Sequence, residues 1–300
     1  MIVFKPITID DSSLTSSNVS ENDYSEWVSS TTYSVGDKVI VVATHKIYEA
    51  LSSNSNKYPP DNTDISTPDW LDLGSTNRWR MFDDVVNSQT TLSSGDLVVT
   101  VTPGSVNAVA LLNIVATSVK VELNDPSEGV VYSETVDLLS TSGITDWYAY
   151  FFYPIEMQTF VLLDDLPMYE TAELTITLYG DGGDTACGVF ACGLYRRLGC
   201  TVFGSTLGID DYSKKDIDDF GNATLLEGKF SKRASFDVEI STENVDMVSS
   251  YLSELRATPC VWSGSGYFNA TTVYGYYDSF DILLDNGVLS KCSISLKGLI

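Results

Sequence analysis

The stretch TSVKVELND, residues 117–125, alternates apolar and polar side chains with a period of two. Its apolar positions, Val119, Val121 and Leu123, fall on one side of an extended chain, which is typical of a strand with one buried face. The same alternation recurs at Leu174, Ile176 and Leu178 and at Phe236, Val238 and Ile240. Turn clusters rich in Gly, Pro, Asn and Asp separate such runs. The chain is therefore predicted to be mainly β, with antiparallel sheets in sandwich or jelly-roll-like domains or in open barrels.

One segment shows helical spacing instead of alternation. Apolar residues from Val245 to Leu255 recur at intervals of three or four, and Thr242 precedes them as a candidate N-cap. Acidic residues occupy the first turn, and Pro259 follows the last one. This pattern predicts one short helix at about residues 242–256.

Acidic residues dominate the charge of the chain. Its 300 residues include 17 Lys and Arg against 41 Asp and Glu, which gives a formal net charge of −24 at pH 7. Such a field repels phosphate backbones and anionic lipids, so we expect neither a nucleic-acid partner nor membrane insertion. No run of about 18 apolar residues occurs, and the first residues lack the pattern of a signal peptide. These features predict a soluble protein that is synthesised in the cytoplasm.

Composition divides the chain into four predicted segments. Residues 1–23 form an N-terminal arm, in which a strand precedes a linker rich in Ser and Asn, and residues 24–74 form a compact module. Residues 75–180 are predicted as a β-sandwich domain and residues 181–300 as a β-rich C-terminal domain. The last boundary is placed at YGDGGDTACG, where Gly and Asp accumulate. The final two segments are either one domain or two.

Residue types for catalysis and metal binding are scarce. The single histidine, His45, falls in a predicted hairpin turn, where we expect it to be exposed, so no Ser/His/Asp or Cys/His centre is predicted. The five cysteines are odd in number and contain no C-x-x-C pair, which predicts buried free thiols. The loops NDPSEG and DGGD offer oxygen ligands to calcium, but turn formation explains them equally well. We expect no metal, no cofactor and no enzymatic activity.

The module from residue 24 to 74 has a recognisable outline. Trp27 is followed by YSVGDKV at 33–39, IYEA at 47–50, a Pro-Pro pair, Trp70 and a final Gly. This outline resembles the small chitinase-type carbohydrate-binding modules, which implies three short strands around a few aromatic residues. In so small a domain the aromatic residues are needed for the core, but exposed ones stack on sugar rings. The predicted glycan-contacting residues are Tyr33, Tyr58, Trp27 and Trp70.

The residues after the module resemble a group of bacteriophage and prophage tail proteins. The likeness lies in STNRWRMFDDVVNSQT at 75–90 and in the C-terminal half. The residues that carry it are Asn77, Trp79, Met81, Phe82, Asp83, Asp211, Tyr212, Ser213, Arg256, Pro259 and Trp262. The resemblance implies a non-catalytic structural component of the tail tip, baseplate or fibre-attachment region, which is present in the virion in many copies beside other tail proteins.

Two features of the chain suit subunit assembly. The N-terminal strand IVFKPITI, with Ile2 and Phe4, is predicted to pair with a neighbouring subunit of a symmetric homo-oligomer. A basic cluster at Lys229, Lys232 and Arg233, with another at Lys214 and Lys215, provides counter-charges for a neighbour's carboxylates or belongs to solvated loops. Two other hypotheses stay open: a module that recognises a host-surface glycan, and a carbohydrate-active enzyme with an appended binding module, in which a pair among the 41 acidic residues does the chemistry.

Overall fold

A computed structural model describes residues 1–140, 146–152, 156–217, 223–266 and 268–299. The protein is mainly β, with 49% strand and 11% helix, so the predicted fold class is confirmed. Across these residues the strands are, in chain order, Ile2–Phe4 (β1), Leu14–Ser17 (β2), Thr32–Tyr33 (β3), Lys38–Val41 (β4), Lys46–Ala50 (β5), Asn54–Ser55 (β6), Trp70–Ser75 (β7), Thr90–Leu92 (β8), Leu97–Val101 (β9), Ala108–Val115 (β10), Ser118–Asp125 (β11), Gly129–Asp137 (β12), Leu139–Ser140 (β13), Glu156–Met157 (β14), Phe160–Leu163 (β15), Glu173–Tyr179 (β16), Thr185–Gly193 (β17), Arg196–Arg197 (β18), Cys200–Thr201 (β19), Thr206–Asp211 (β20), Lys214–Ile217 (β21), Ala223–Leu226 (β22), Phe230–Ser241 (β23), Cys260–Ser263 (β24), Thr272–Leu283 (β25) and Leu289–Gly298 (β26). The α-helices are Trp147–Phe152 (α1) and Val245–Glu254 (α2).

Two antiparallel sheets form a β-sandwich. One has the strand order β12-β11-β16-β9-β2, and the other has the order β15-β10-β17-β8. The residues that alternation placed on a buried face, Val119, Val121 and Leu123, lie in the core between the sheets, where they meet Leu111 and Phe190 of the second sheet. The predicted inward face of this strand is therefore confirmed.

A third sheet covers the back of the second one. Its strand order is β18-β1-β24-β25-β26-β23-β19, and β20 also pairs with β23. Phe4, Val261 and Tyr274 project from this sheet and pack against Ala110 and Ala191 of the sandwich. The sheet β15-β10-β17-β8 is thus the middle of three layers, and every residue of β17 is buried.

Helix α2 covers the outer face of the third sheet. Val248 and Leu252 of the helix are buried with Phe236 and Trp262 of the sheet. The helix lies within the predicted range, but Thr242 is not its N-cap. Thr242 belongs to a single 3-10 turn before the helix, and its hydroxyl donates to the Asn286 carbonyl at 2.9 Å. Of the described helices, none has the length and apolar character needed to cross a membrane.

Two predicted domain assignments are wrong. The first 23 residues are not a free arm, because β1 lies inside the third sheet and β2 is the last strand of the first sandwich sheet. The boundary near residue 180 is a turn between two strands of the sandwich, where Asp181 and Gly182 adopt positive φ. The strand that follows, β17, has no polar side chain after Thr185 because both of its faces are buried, and that removes the alternation by which a sandwich strand is recognised.

The pairing of β1 also corrects the assembly prediction for Ile2 and Phe4. Ile2 lies opposite Arg197 on one side and Ser263 on the other, so β1 has no free edge there. Phe4 is fully buried between the second and third layers. This strand holds together parts of one chain that are distant in sequence.

The module at residues 24–74 has the predicted three-stranded sheet, with the order β4-β5-β7, and a short pair formed by β3 and β6. Its small separate core contains Tyr33, Val39, Tyr48 and Trp70. The cysteines are all free thiols; four are buried as predicted, and Cys200 is exposed.

Candidate functional site

Two of the four predicted glycan-contacting residues form the core of the module. Trp70 is fully buried, and its ring meets that of Tyr33 edge to face at 5.2 Å between centroids. The Trp70 indole N–H donates to the Lys57 carbonyl at 3.0 Å, and the Tyr33 hydroxyl accepts from the Val28 amide at 2.8 Å. Neither ring offers a face to a ligand, so the prediction that Tyr33 and Trp70 contact a sugar is wrong.

The other two predicted residues form a half-buried pair at the surface of the module. Trp27 and Tyr58 pack edge to face, with 5.3 Å between their centroids, and both contact the module core. The Trp27 indole nitrogen is buried and has no hydrogen-bond partner among the described residues. Tyr24 is more exposed, and its ring centroid lies 5.9 Å from the Lys38 ammonium nitrogen. Of the four predicted residues, only these two keep part of their side chains at the surface.

His45 joins the module to the rest of the molecule, although the sequence predicts an exposed turn residue. Its side chain is only 17% exposed, because the imidazole stacks on Trp79 with 3.9 Å between ring centroids. Its Nδ1 lies 3.1 Å from a Glu21 carboxylate oxygen, and its Nε2 lies 3.1 Å from an Asp11 oxygen. Each ring nitrogen thus has a carboxylate as its hydrogen-bond partner, and these contacts tie the module to residues 11 and 21 of the N-terminal segment.

The residues that carry the resemblance to tail proteins have mainly structural contacts. Trp79 and Met81 are buried in the sandwich core, and Trp262 is buried under helix α2. The Asn77 side chain donates to the Thr91 carbonyl at 2.8 Å and accepts from the Thr91 amide at 2.9 Å. These contacts fix the start of the sandwich against the end of the module.

A projecting β-hairpin is the most exposed feature of the third sheet. We call it the arm and define it as residues 206–217 and 223–235; it is distinct from the N-terminal arm that was predicted for residues 1–23. Its base is the pairing of Thr206 through Asp211 with Ser235 through Phe230, and it continues as β21 paired with β22. Among the described residues, β21 and β22 pair only with each other. The arm therefore leaves the sheet as an isolated two-stranded ribbon.

The arm exposes apolar side chains that a folded monomer ordinarily buries. Leu225 is 76% exposed, and every described residue of β21 and β22 is exposed. The exposed large apolar residues of the arm are Leu207, Ile209, Tyr212, Ile217, Leu225, Leu226 and Phe230. Contiguous exposed apolar side chains are more common at sites of contact with other molecules than on the rest of a protein surface.

The predicted basic clusters lie on this same arm. Lys214, Lys215, Lys229, Lys232 and Arg233 are five of the 17 basic residues of the chain, within about a tenth of its length. Within the part of the chain that the structure describes, Arg233 alone of the five is in an ion pair, with Asp210 at 3.6 Å. Desolvation lowers the pKa of Lys232. Lys214 and Lys215 lie on β21, Lys232 and Arg233 lie on β23, and Lys229 lies in the connection before β23; all five are exposed.

A second exposed apolar feature was not predicted. Helix α1 has the sequence WYAYFF, and its Trp147 is 78% exposed although it stacks on Phe151. The helix follows strand β13, which pairs with β14 at Leu139 and Met157. A run of aromatic residues could have indicated this feature in the sequence. The run shows neither alternation nor helical amphipathicity, so the helix that it forms has no polar face.

The clefts and acidic loops were searched for groups that could bind a ligand or a metal ion. A groove of about 370 Å³ at the base of the arm is lined by Phe160, Tyr274 and Leu299, with Lys229 and Lys232 at its side. Asp125 of NDPSEG accepts hydrogen bonds from Ser127 and Thr171, which lower its pKa to about 2. The described residues contain no group of three or more His, Cys, Asp and Glu placed to hold a metal ion.

Comparison with known proteins found no matching family model, no matching curated protein and no matching solved structure. Function is therefore inferred from the surfaces themselves, namely the Trp27–Tyr58 pair on the module and the arm on the third sheet.

Proposed function

We propose that this protein is a structural component of a bacteriophage tail, in the tail tip, baseplate or fibre-attachment region, and that it acts by subunit assembly. The observation that carries the proposal is the arm. An isolated two-stranded ribbon is marginally stable in water, and this one also exposes Leu225, Leu226 and Ile217. Contact with a neighbouring subunit would supply the missing strand partner and cover these side chains.

The rest of the molecule suits a scaffold for such an arm. Three stacked sheets and a covering helix form a continuous body, and β1 and β26 both lie in its third sheet. The Tyr274 hydroxyl donates to the Asp84 carboxylate, a contact that joins the sandwich to that sheet. At its base the arm is continuous with this body, because β23 pairs with both β20 and β26. The tail context of the proposal comes from the resemblance in residues 75–90 and in the C-terminal half.

The test uses the phage or prophage that encodes the chain. Particles are purified and their proteins identified by mass spectrometry, for the natural chain and for a variant in which residues 212–229 are replaced by a short turn. We expect the natural chain in the particles and the variant only in the unassembled fraction, with incomplete tails in electron micrographs. A melting transition like that of the natural chain shows that the variant folds. Absence of the natural chain from particles would refute the proposal.

A second candidate function is recognition of a host-surface glycan, and the half-buried Trp27–Tyr58 pair favours it. Stacking on a sugar ring needs an aromatic side chain on a firm support, and both rings pack on the module core. Binding of the purified protein to an array of bacterial polysaccharides tests this function. We expect loss of retention for Tyr58→Ala and unchanged retention for Tyr212→Ala, a matched change on the arm. Equal retention of both variants would exclude the pair as the site.

A further inference from the structure

We propose that the imidazole of His45 is a proton-dependent contact between the module and the sandwich, which holds when the ring is charged and weakens when the ring loses its proton. The inference concerns how firmly the module is held, and it does not depend on the proposed assembly function. It rests on the three groups that surround the ring, Glu21, Asp11 and Trp79.

The His45 side chain joins two separate parts of the fold. His45 lies in the turn between β4 and β5 of the module, whereas Trp79 is buried in the sandwich core. Asp11 and Glu21 lie on either side of β2, the last strand of the first sandwich sheet. Among the described residues, no other module side chain is hydrogen-bonded to these parts or stacks on one of their rings.

The number of protons on the ring decides whether both carboxylates can be bound. Nδ1 lies 3.1 Å from a Glu21 oxygen and Nε2 lies 3.1 Å from an Asp11 oxygen, and an ionised carboxylate only accepts hydrogen bonds. A neutral imidazole has one N–H, so it donates to one carboxylate and turns a lone pair towards the other. The charged ring has an N–H on each nitrogen. Both contacts are therefore satisfied only by the charged ring.

The burial of Glu21 is a second reason to expect a charged ring. The Glu21 side chain is 10% exposed, and its carboxylate also accepts from the Thr76 hydroxyl at 2.9 Å. Within the described part of the chain, no Lys or Arg lies within ion-pair distance of Glu21, so His45 is its one cationic partner. A carboxylate that is taken out of water is costly without a partner of opposite charge. Loss of the ring proton leaves Glu21 without that partner.

The Trp79 indole favours the same charge state. The imidazole stacks on it with 3.9 Å between centroids and 20° between the ring planes. A cation over the face of a tryptophan is attracted by the π-system, and the attraction is stronger where water is excluded. Burial of the imidazole acts in the opposite direction, because it disfavours any charge. Two carboxylates and an indole face compensate for this desolvation.

The other charged groups near the turn do not replace His45. Lys46, the next residue, lies 2.6 Å from Asp72, and Asp23 accepts from a backbone amide at 3.2 Å. Arg78 and Arg80, on either side of the stacked indole, are not within ion-pair distance of Asp11 or Glu21 among the described residues. Histidine is the side chain whose charge ordinarily changes between about pH 5 and pH 8, and the chain has one. The contact is therefore present on the acidic side of this range and is lost as the pH rises.

Limited proteolysis tests the contact in the full-length protein. The rate of cleavage in the two connections, residues 18–23 and 75–78, is divided by the rate for His45→Asn at the same pH. This division cancels the pH dependence of the protease and of every other titrating group. We expect the natural chain to be cleaved about fivefold more slowly than the variant near about pH 5.5, and within about twofold of it near about pH 8.5.

Two further variants separate the charge from the shape of the contact. Glu21→Gln keeps the size of the side chain and an oxygen for Thr76 but removes the charge, so the pH dependence should shrink to about twofold or less. Glu49→Gln, the same change at a more exposed position on β5, is the control and should leave the pH dependence unaltered.

The single histidine also gives a direct readout of its charge. In protein with isotopically labelled histidine, the imidazole gives one NMR signal, whose shift follows the charge of the ring as the pH is raised. The ring should lose its proton at a lower pH in Glu21→Gln than in the natural chain, and Glu49→Gln should match the natural chain.

Two results would overturn the inference. One is a cleavage ratio between the natural chain and His45→Asn that is the same at both ends of the pH range. The other is a histidine signal that titrates identically in the natural chain and in Glu21→Gln. Both experiments use the purified protein, so the tail proposal stands or fails separately.

Discussion

Replacement of Phe4 by alanine tests whether the N-terminal strand belongs to the folded monomer. Phe4 is fully buried between the sandwich and the third sheet, where it packs with Ala110, Ala191 and Val261. Truncation of a buried phenylalanine costs about 3–5 kcal/mol, as lost transfer free energy plus the cavity that remains. We expect Phe4→Ala to lower the free energy of unfolding by an amount in this range, measured by urea denaturation of a dilute, monomeric sample.

Phe203 provides the matched control, because its side chain is 100% exposed. The same truncation there removes no buried contact, so Phe203→Ala should change the free energy of unfolding by less than about 0.5 kcal/mol. If Phe4→Ala behaves like the Phe203 control, β1 is not an internal strand of the monomer. The prediction that Ile2 and Phe4 serve a neighbouring subunit would then return.

Three further predictions concern other parts of the fold. Burial raises the pKa of Cys187, Cys192 and Cys260 to about 12, from an ordinary value of 9.0, so these thiols stay protonated when folded but ionise when unfolded. Their contribution to stability is present below about pH 9 and is lost as the pH rises towards 12. The denaturant concentration at the midpoint of unfolding should therefore fall between pH 8 and pH 11. A midpoint that does not change with pH would contradict this prediction. The substitution His45→Asn keeps a residue type that tolerates the φ of 54° at this position, but it removes the imidazole that stacks on Trp79. We expect it to speed up proteolysis between the module and the sandwich. Lys57→Asn, elsewhere on the module, is the control and should leave the rate of proteolysis unchanged. An alanine at Gly188 would place its Cβ 2.3 Å from the Val86 carbonyl oxygen, so Gly188→Ala should lower the melting temperature, whereas Gly266→Ala, with open space around it, should not.

The sequence by itself determined the class of the elements and the inward side of many strands. Alternation identified the buried faces at Val119 and Phe236, and helical spacing located α2. The outline of the module was also readable, because a short turn joins β4 to β5 and the whole sheet lies within residues 38–75. In each case the information is local, since a period of two or of 3.6 follows from the geometry of one element.

Only the tertiary structure decided how these elements are assigned to layers. Ile2 pairs with residues 197 and 263, and no local pattern specifies partners so distant in the chain. Alternation reports that a strand has one buried face, but it cannot identify what covers that face, and it vanishes where both faces are covered, as in β17. The same limit applies to function. A lysine cluster and an aromatic residue look alike in sequence whether exposed or packed, and tertiary contacts alone place Trp70 in a core and Leu225 on a projecting arm.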